Sequence, residues 1–151
     1  MQFPYYSNII LIAGAGRNVG KTTFACKIIK SLSKNYEVTA VKISSHLHAL
    51  EPGTKILFQS QSYALSKEES ISKKDSSRML EAGAKNVYYL QSQQENLKDA
   101  FEKLKPYIQI GPVIVESGGL HEIIKPALFF FVFKDPDITE NKKSHLKFEP
   151  I

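Results

Sequence analysis

Apolar residues recur along this chain with two different periods, and each change of period marks an element. Residues 8–13, Asn-Ile-Ile-Leu-Ile-Ala, form an unbroken apolar run rich in β-branched side chains, the pattern of a strand buried on both faces of a parallel sheet. From Lys21 the spacing turns helical, with Phe24, Ala25, Ile28, Ile29 and Leu32 on one face. A strand is predicted over 37–43, where Val38, Ala40, Val41 and Ile43 are apolar. Residues 44–74 are polar and weakly patterned, with two short strands expected around 55–59 and 63–66. Residues 75–82 read as a short helix that Gly83 ends, and 86–91 as a strand. Ser92 and Glu95 have the spacing of a capping box. Leu97, Ala100, Phe101, Leu104 and Ile108 then recur at helical spacing, with Pro106 near the end. Residues 112–116 and 127–133 complete the set as buried strands.

Strands alternating with helices predict an α/β fold of three layers, a mostly parallel central sheet covered on both faces. No repeat or linker divides the chain, so 1–151 is expected to be a single domain, with an irregular tail over about 135–151. A hydrophobic fraction of 42% with 23% charged residues argues against a disordered or fibrous chain. The longest apolar run, 126–133, is too short to span a bilayer, and the N-terminus lacks the pattern of a signal peptide, so no membrane association is expected. The single cysteine, Cys26, cannot form an internal disulfide, which fits a reducing cytoplasm. The net charge of +5 suits anionic ligands. No RNA- or DNA-binding motif accompanies Lys73, Lys74, Lys142 and Lys143, whose charges equally fit a solvated surface, and no nucleic-acid partner is expected.

The strongest chemical signal is Gly-Ala-Gly-Arg-Asn-Val-Gly-Lys-Thr-Thr over 14–23. A glycine-rich turn between a buried strand and a helix is an anion site, because successive N–H groups converge there and the helix adds its partial positive charge. The stretch resembles the P-loop of nucleoside triphosphate-binding proteins, which implies a three-layer P-loop NTPase fold. Gly14, Gly16, Arg17, Asn18, Val19, Gly20, Lys21, Thr22 and Thr23 are the expected nucleotide-binding residues. Lys21 would reach the β- and γ-phosphates and the Thr22 hydroxyl would ligate Mg²⁺. Ala15 occupies the position where the motif has its first glycine, flanked by Gly14 and Gly16. Such a site needs a carboxylate at the end of a neighbouring strand to hold or orient the metal. Glu116, closing Val113-Ile-Val-Glu-Ser-Gly-Gly119, is the acidic residue that ends a clearly buried strand. With Thr22 it forms the expected metal pair. That role requires strand 112–116 to lie directly beside strand 8–13 and parallel to it.

Three stretches resemble the molybdopterin-guanine-dinucleotide biosynthesis protein B family of small GTP-binding proteins. These are the loop 14–23, the strand ending in Val41-Lys42 before Ser44-Ser-His-Leu-His48, and Lys74-Asp-Ser-Ser-Arg-Met-Leu-Glu-Ala-Gly-Ala84. The last is close to the family's Lys-Asp-(Ser/Thr)-x-Arg-x-x-x-Ala-Gly-Ala. The resemblance implies GTP binding with Mg²⁺, slow hydrolysis or none, and help in attaching a nucleotide to molybdopterin. It also implies a molybdopterin nucleotidyltransferase or molybdopterin itself as partner, and Asp75 and Arg78 facing the site or that partner. Glu116-Ser-Gly-Gly-Leu120 is nearer to the Glu-Gly-x-Gly-Gly of dethiobiotin synthetase, which implies as an alternative an ATP-dependent ligase or small-molecule kinase. Asn141-Lys-Lys-Ser144 is similar to a guanine-reading Asn-Lys-x-Asp, with Ser in place of the carboxylate.

Other residues admit two readings. Asp75 is a partner-facing carboxylate or a helix N-cap. Lys42 is an anionic-substrate contact or a solvated strand end. His46 and His48 would share one side of an extended segment but have no third ligand nearby in sequence. Cys26 fits a core position better than a nucleophile. The last strand, 127–133, is apolar on both faces with no recognisable helix after it. A homodimer is therefore expected, with Phe129, Phe131 or Phe133 at or near the contact.

Overall fold

The computed structural model describes residues 2–16, 20–71 and 74–134. Among them the chain is α/β, with one seven-stranded, mostly parallel sheet and helices on both faces. The elements run β1 (Tyr5–Gly14), α1 (Lys21–Leu32), β2 (Thr39–Ser44), β3 (Lys55–Gln59), β4 (Tyr63–Glu68), α2 (Asp75–Glu81), β5 (Asn86–Ser92), α3 (Leu97–Leu104), β6 (Val113–Glu116) and β7 (Lys125–Val132). The sheet order is β3-β4-β5-β2-β6-β1-β7. Strands β5, β2, β6, β1 and β7 run parallel to one another, while β3–β4 and β4–β5 are antiparallel pairs. The segment 112–116 thus pairs directly and in parallel with β1, as the site reading required, through Ile9 opposite Val113 to Ile12 opposite Glu116.

Strand pleat divides the core in two. Ile9, Leu11 and Ala13 of β1 pack with Val113 and Val115 of β6 against Leu97, Ala100, Phe101 and Leu104 of α3. The alternate residues Ile12 and Ile114 pack with Ala25 and Ile29 of α1 and Met79 of α2. Each fully buried Ile or Leu contributes roughly 1.5–3 kcal/mol by leaving water. Helix α1 forms because its apolar residues recur at 3.6-residue spacing with no Pro or Gly inside. Helix α3 gives way to a 3-10 turn, Lys105–Tyr107, at Pro106, whose missing N–H and ring cannot continue the ladder. Helix α2 ends as the sequence implied. The N–H of Gly83 donates to Leu80 and that of Ala84 to Met79, a Schellman closure.

Two predicted caps do not form. Ser92 belongs to β5, and its hydroxyl donates to the Gln93 carbonyl, so no Ser92–Glu95 box opens α3. A 3-10 turn, Gln94–Asn96, intervenes instead. Asp75 is the first residue of α2 rather than its N-cap, which is Lys74 in extended backbone without a side-chain cap bond. Strand β1 begins at Tyr5, earlier than its apolar run, because edge strand β7 pairs with it from Lys125 onward. On β7, Phe129 is buried within its own chain, stacked on His121 at 5.2 Å between ring centroids. Phe129 therefore exposes little surface of its own to the expected subunit contact. Leu128, Phe130 and Phe133 are exposed.

Candidate functional site

Strand β1 ends at Gly14, and the chain turns through Ala15 and Gly16 before α1 begins at Lys21. Gly16 and Gly20 have φ of 101° and 98°, conformations that strain any side-chain-bearing residue. At Gly20 a Cβ would meet nothing within 4 Å, so the dihedral rather than crowding selects glycine. Gly20 caps α1 without a side-chain bond, and no acidic residue occupies the first turn. Nothing within the helix offsets the partial positive charge at its start.

The pleat that builds the core also assembles the polar cluster. Lys42 and Glu116 are register partners across β2 and β6. By the period of two they share a sheet face with Ala40 and Ile114, the face that α1 covers. The Lys42 ammonium lies 3.0 Å from Glu116 Oε1. The Thr22 hydroxyl, on the second residue of α1, lies 3.0 Å from each Glu116 oxygen and donates to the carboxylate. Glu116 is only 2% exposed, and a buried carboxylate persists because these two partners neutralise and solvate it. Helix α2 brings two more charges. Asp75 Oδ2 is 3.6 Å from Lys42 Nζ, and the Arg78 guanidinium lies 3.8 Å from Asp75 and donates to Thr23 Oγ1 at 3.1 Å. Burial lowers the Lys21 pKa below its ordinary value, with Lys42 adding to the effect and Glu116 and Asp75 opposing it.

Around this cluster is a cavity of about 890 Å³ at the carboxyl ends of β1, β2, β5 and β6, where open α/β sheets place their ligands. Gly14, Gly16, Gly20, Lys21, Thr22, Thr23, Lys42, Asp75, Arg78 and Glu116 all line it. Arg17, Asn18 and Val19 lie outside the described residues, as does 141–144. The cavity continues away from α1 to Ser44, Ser45, His46 and His48 on one wall and Ser92, Gln94 and Leu97 on another. His46 and His48 are exposed, with ring centroids 6.1 Å apart. Among the described residues no group of three His, Cys, Asp or Glu side chains is placed to hold a metal. Cys26 packs half-buried against the α1 core, and burial pushes its thiol pKa up. It is no activated nucleophile.

Some supporting residues escaped the sequence reading. Gln91 is buried and accepts the His48 N–H at 2.7 Å, fixing the segment after β2. Ser117 accepts the N–H groups of Gly119 and Leu120 at 3.3 and 3.1 Å, holding the turn after β6. Gln94 donates to the Gly119 carbonyl and to Glu122. A serine two and three residues before the bonded N–H groups signals Ser117, whereas Gln91, next to Ser92 at the polar end of β5, carries no comparable signal. No protein-family model, curated protein or solved structure matches the chain.

The donor set is oxygen-rich on one side and cationic on the other. Thr22 donates its proton to Glu116, so its hydroxyl keeps its acceptor lone pairs, and the residue lines the cavity. A hydroxyl and a carboxylate fit a hard divalent cation such as Mg²⁺. Lys21, Lys42 and Arg78 supply positive charge for an anion in the same space.

Proposed function

We propose that the cavity binds a nucleoside triphosphate, GTP foremost, together with Mg²⁺, through a phosphate-binding loop of the P-loop NTPase kind. The observation that carries this reading is the convergence of Lys21, Thr22 and Glu116 on one cavity, with Glu116, at the end of the strand beside β1, accepting the Thr22 hydroxyl of α1. In this reading the N–H groups of the turn and the start of α1 hold the phosphates. Lys21 neutralises their charge. Thr22, with its proton held by Glu116, offers a lone pair to the cation. Arg78, braced by Asp75 and Thr23, faces the same anion from α2. Mg²⁺, when bound, would neutralise phosphate charge and polarise the terminal phosphoryl group.

The family resemblance of 14–23, 41–48 and 74–84 supports a role in building molybdopterin guanine dinucleotide, as an accessory factor with slow hydrolysis or none. Its partner would be a molybdopterin nucleotidyltransferase or molybdopterin. A second reading, an ATP-dependent ligase or kinase similar to dethiobiotin synthetase, is favoured by the 116–120 stretch and by the cavity's extension to Ser44, His48 and Gln94. That extension gives space for an acceptor beyond the phosphates. Two copies associate through β7 in this account, which leaves Leu128, Phe130 and Phe133 as the covered residues. Calorimetric titration of GTP and ATP with Mg²⁺, alone and after molybdopterin is added, separates the two readings. Preference for GTP supports the first. Preference for ATP with turnover of a small acceptor supports the second.

A further inference from the structure

Lys42 occupies an unusual place for a residue beside a proposed metal site. Its ammonium sits between two carboxylates, 3.0 Å from Glu116 Oε1 and 3.6 Å from Asp75 Oδ2. Register fixes it there, since Lys42 and Glu116 are paired across β2 and β6 and point to one face. Its side chain is 21% exposed, while that of Glu116 is 3% exposed. A buried carboxylate beside a phosphate site repels phosphate unless a cation neutralises it. Three cationic side chains, Lys21, Lys42 and Arg78, line the cavity with three carboxylates, Asp75, Glu116 and Glu122, and of these cations Lys42 is the one in contact with Glu116. The Glu116 carboxylate is therefore already paired with a cation before any metal arrives.

We infer that Lys42 is a tethered cation that screens Glu116 from the phosphates, so that the site binds nucleotide without a divalent ion and Mg²⁺ adds little affinity. This deepens the nucleotide-binding reading and rests on it. In this role Lys42 is a positioning and screening residue, acting through Glu116 rather than touching the phosphates. The two possibilities differ in a double variant. If Lys42 works by screening, removing Glu116 as well makes it dispensable. If it binds phosphate directly, its loss is felt whatever stands at 116.

The test is equilibrium binding of GTP, with ATP in parallel, in EDTA and in excess Mg²⁺. The wild type, Lys42→Met and the double variant Lys42→Met/Glu116→Gln are compared. For the wild type, chelating the metal changes the dissociation constant by less than ~10-fold, whereas Lys42→Met loses ~100-fold in EDTA, the upper range of ordinary site-to-site coupling. Mg²⁺ restores most of the Lys42→Met loss, and the double variant regains near-wild-type affinity in EDTA. Should Lys42→Met not fold, the wild-type and double-variant measurements decide alone, because the double variant leaves no unpaired buried charge. A wild type that needs Mg²⁺ for binding by more than ~100-fold overturns the inference while leaving nucleotide binding intact. A double variant that stays weak in EDTA also overturns it. If no form binds either nucleotide with or without metal, the proposed function itself falls.

Discussion

Replacing Thr22 by Val exchanges a hydroxyl for a methyl of nearly the same shape, in a residue that is 7% exposed and β-branched either way. Helix propensity and packing stay close to the original, so the change isolates the bond to Glu116. That bond is bifurcated, 3.0 Å to each carboxylate oxygen, and its acceptor is buried and charged. Hydrogen bonds to charged groups contribute about 1.5–3 kcal/mol, and an abandoned buried acceptor sits toward the upper end. Lys42 remains at 3.0 Å and keeps Glu116 paired, which holds the loss nearer the lower end. Thr22→Val is therefore expected to destabilise the fold by about 2 kcal/mol, a fall in Tm of ~4–8 °C for a chain of this size. Urea unfolding followed by circular dichroism reads this directly, with Thr23→Val as control. Thr23 is exposed and, among the described residues, its hydroxyl accepts from the exposed Arg78 guanidinium, so the control should lose no more than ~0.5 kcal/mol. Equal stability of the two variants would refute the claim that Thr22 supports a buried Glu116.

Other expectations follow from the same structure. The Lys21 pKa is lowered from 10.5 chiefly by burial, and nucleotide phosphate favours its charged form. Affinity should accordingly fall as pH rises through that lowered value, at a pH below the one set by an ordinary lysine; a flat profile up to pH 10.5 would contradict it. In the free protein the sign is opposite. The unfolded chain binds more protons between the lowered pKa and 10.5, so this group's contribution to stability increases with pH across that window, which pH-dependent urea unfolding of wild type against Lys21→Met measures. Ile29→Ala empties a fully buried site between α1 and the sheet and should cost ~2–5 kcal/mol in urea unfolding. Sedimentation is expected to show a dimer that Leu128→Lys with Phe133→Lys converts to monomer; a wild-type monomer at micromolar concentration would remove the β7 contact.

The fold was legible where burial is uniform. Residues 8–13 and 112–116 carry unbroken periods and give the strands those periods implied, while 97–108 is helical only to Leu104, where Pro106 turns it into a 3-10 segment. Caps were less legible, because a cap depends on where the preceding strand stops. Ser92 has the right spacing to Glu95, yet pairing of β5 with β4 through Tyr63 opposite Ser92 holds that serine in the sheet. Asp75 likewise lies one residue too late to cap and instead faces Lys42 and Arg78. The site was legible as a set of residues, since Lys21, Thr22, Lys42, Asp75, Arg78 and Glu116 share one cavity. Its internal pairing was not. That Lys42 stands on Glu116 follows from the β2–β6 register, and β2 and β6 are separated in sequence by two helices and three strands. Ser117 carries a local signal in its spacing to Gly119 and Leu120, whereas the bond of Gln91 to His48 depends on a loop path that the sequence around either residue does not specify.

The central claim is that this cavity binds a nucleoside triphosphate through the turn before α1. The most direct measurement is isothermal titration of the wild type and Lys21→Ala with GTP and with ATP in the presence of Mg²⁺. Circular dichroism confirms that both are folded. The wild type is expected to bind with one site per chain and GTP ahead of ATP. Lys21→Ala should lose at least ~100-fold in affinity, since a charge-assisted phosphate contact is about twice as strong as a neutral one and here lies in a partly buried site. Lys21→Ala binding either nucleotide as tightly as the wild type, or a folded wild type binding neither, would contradict the account.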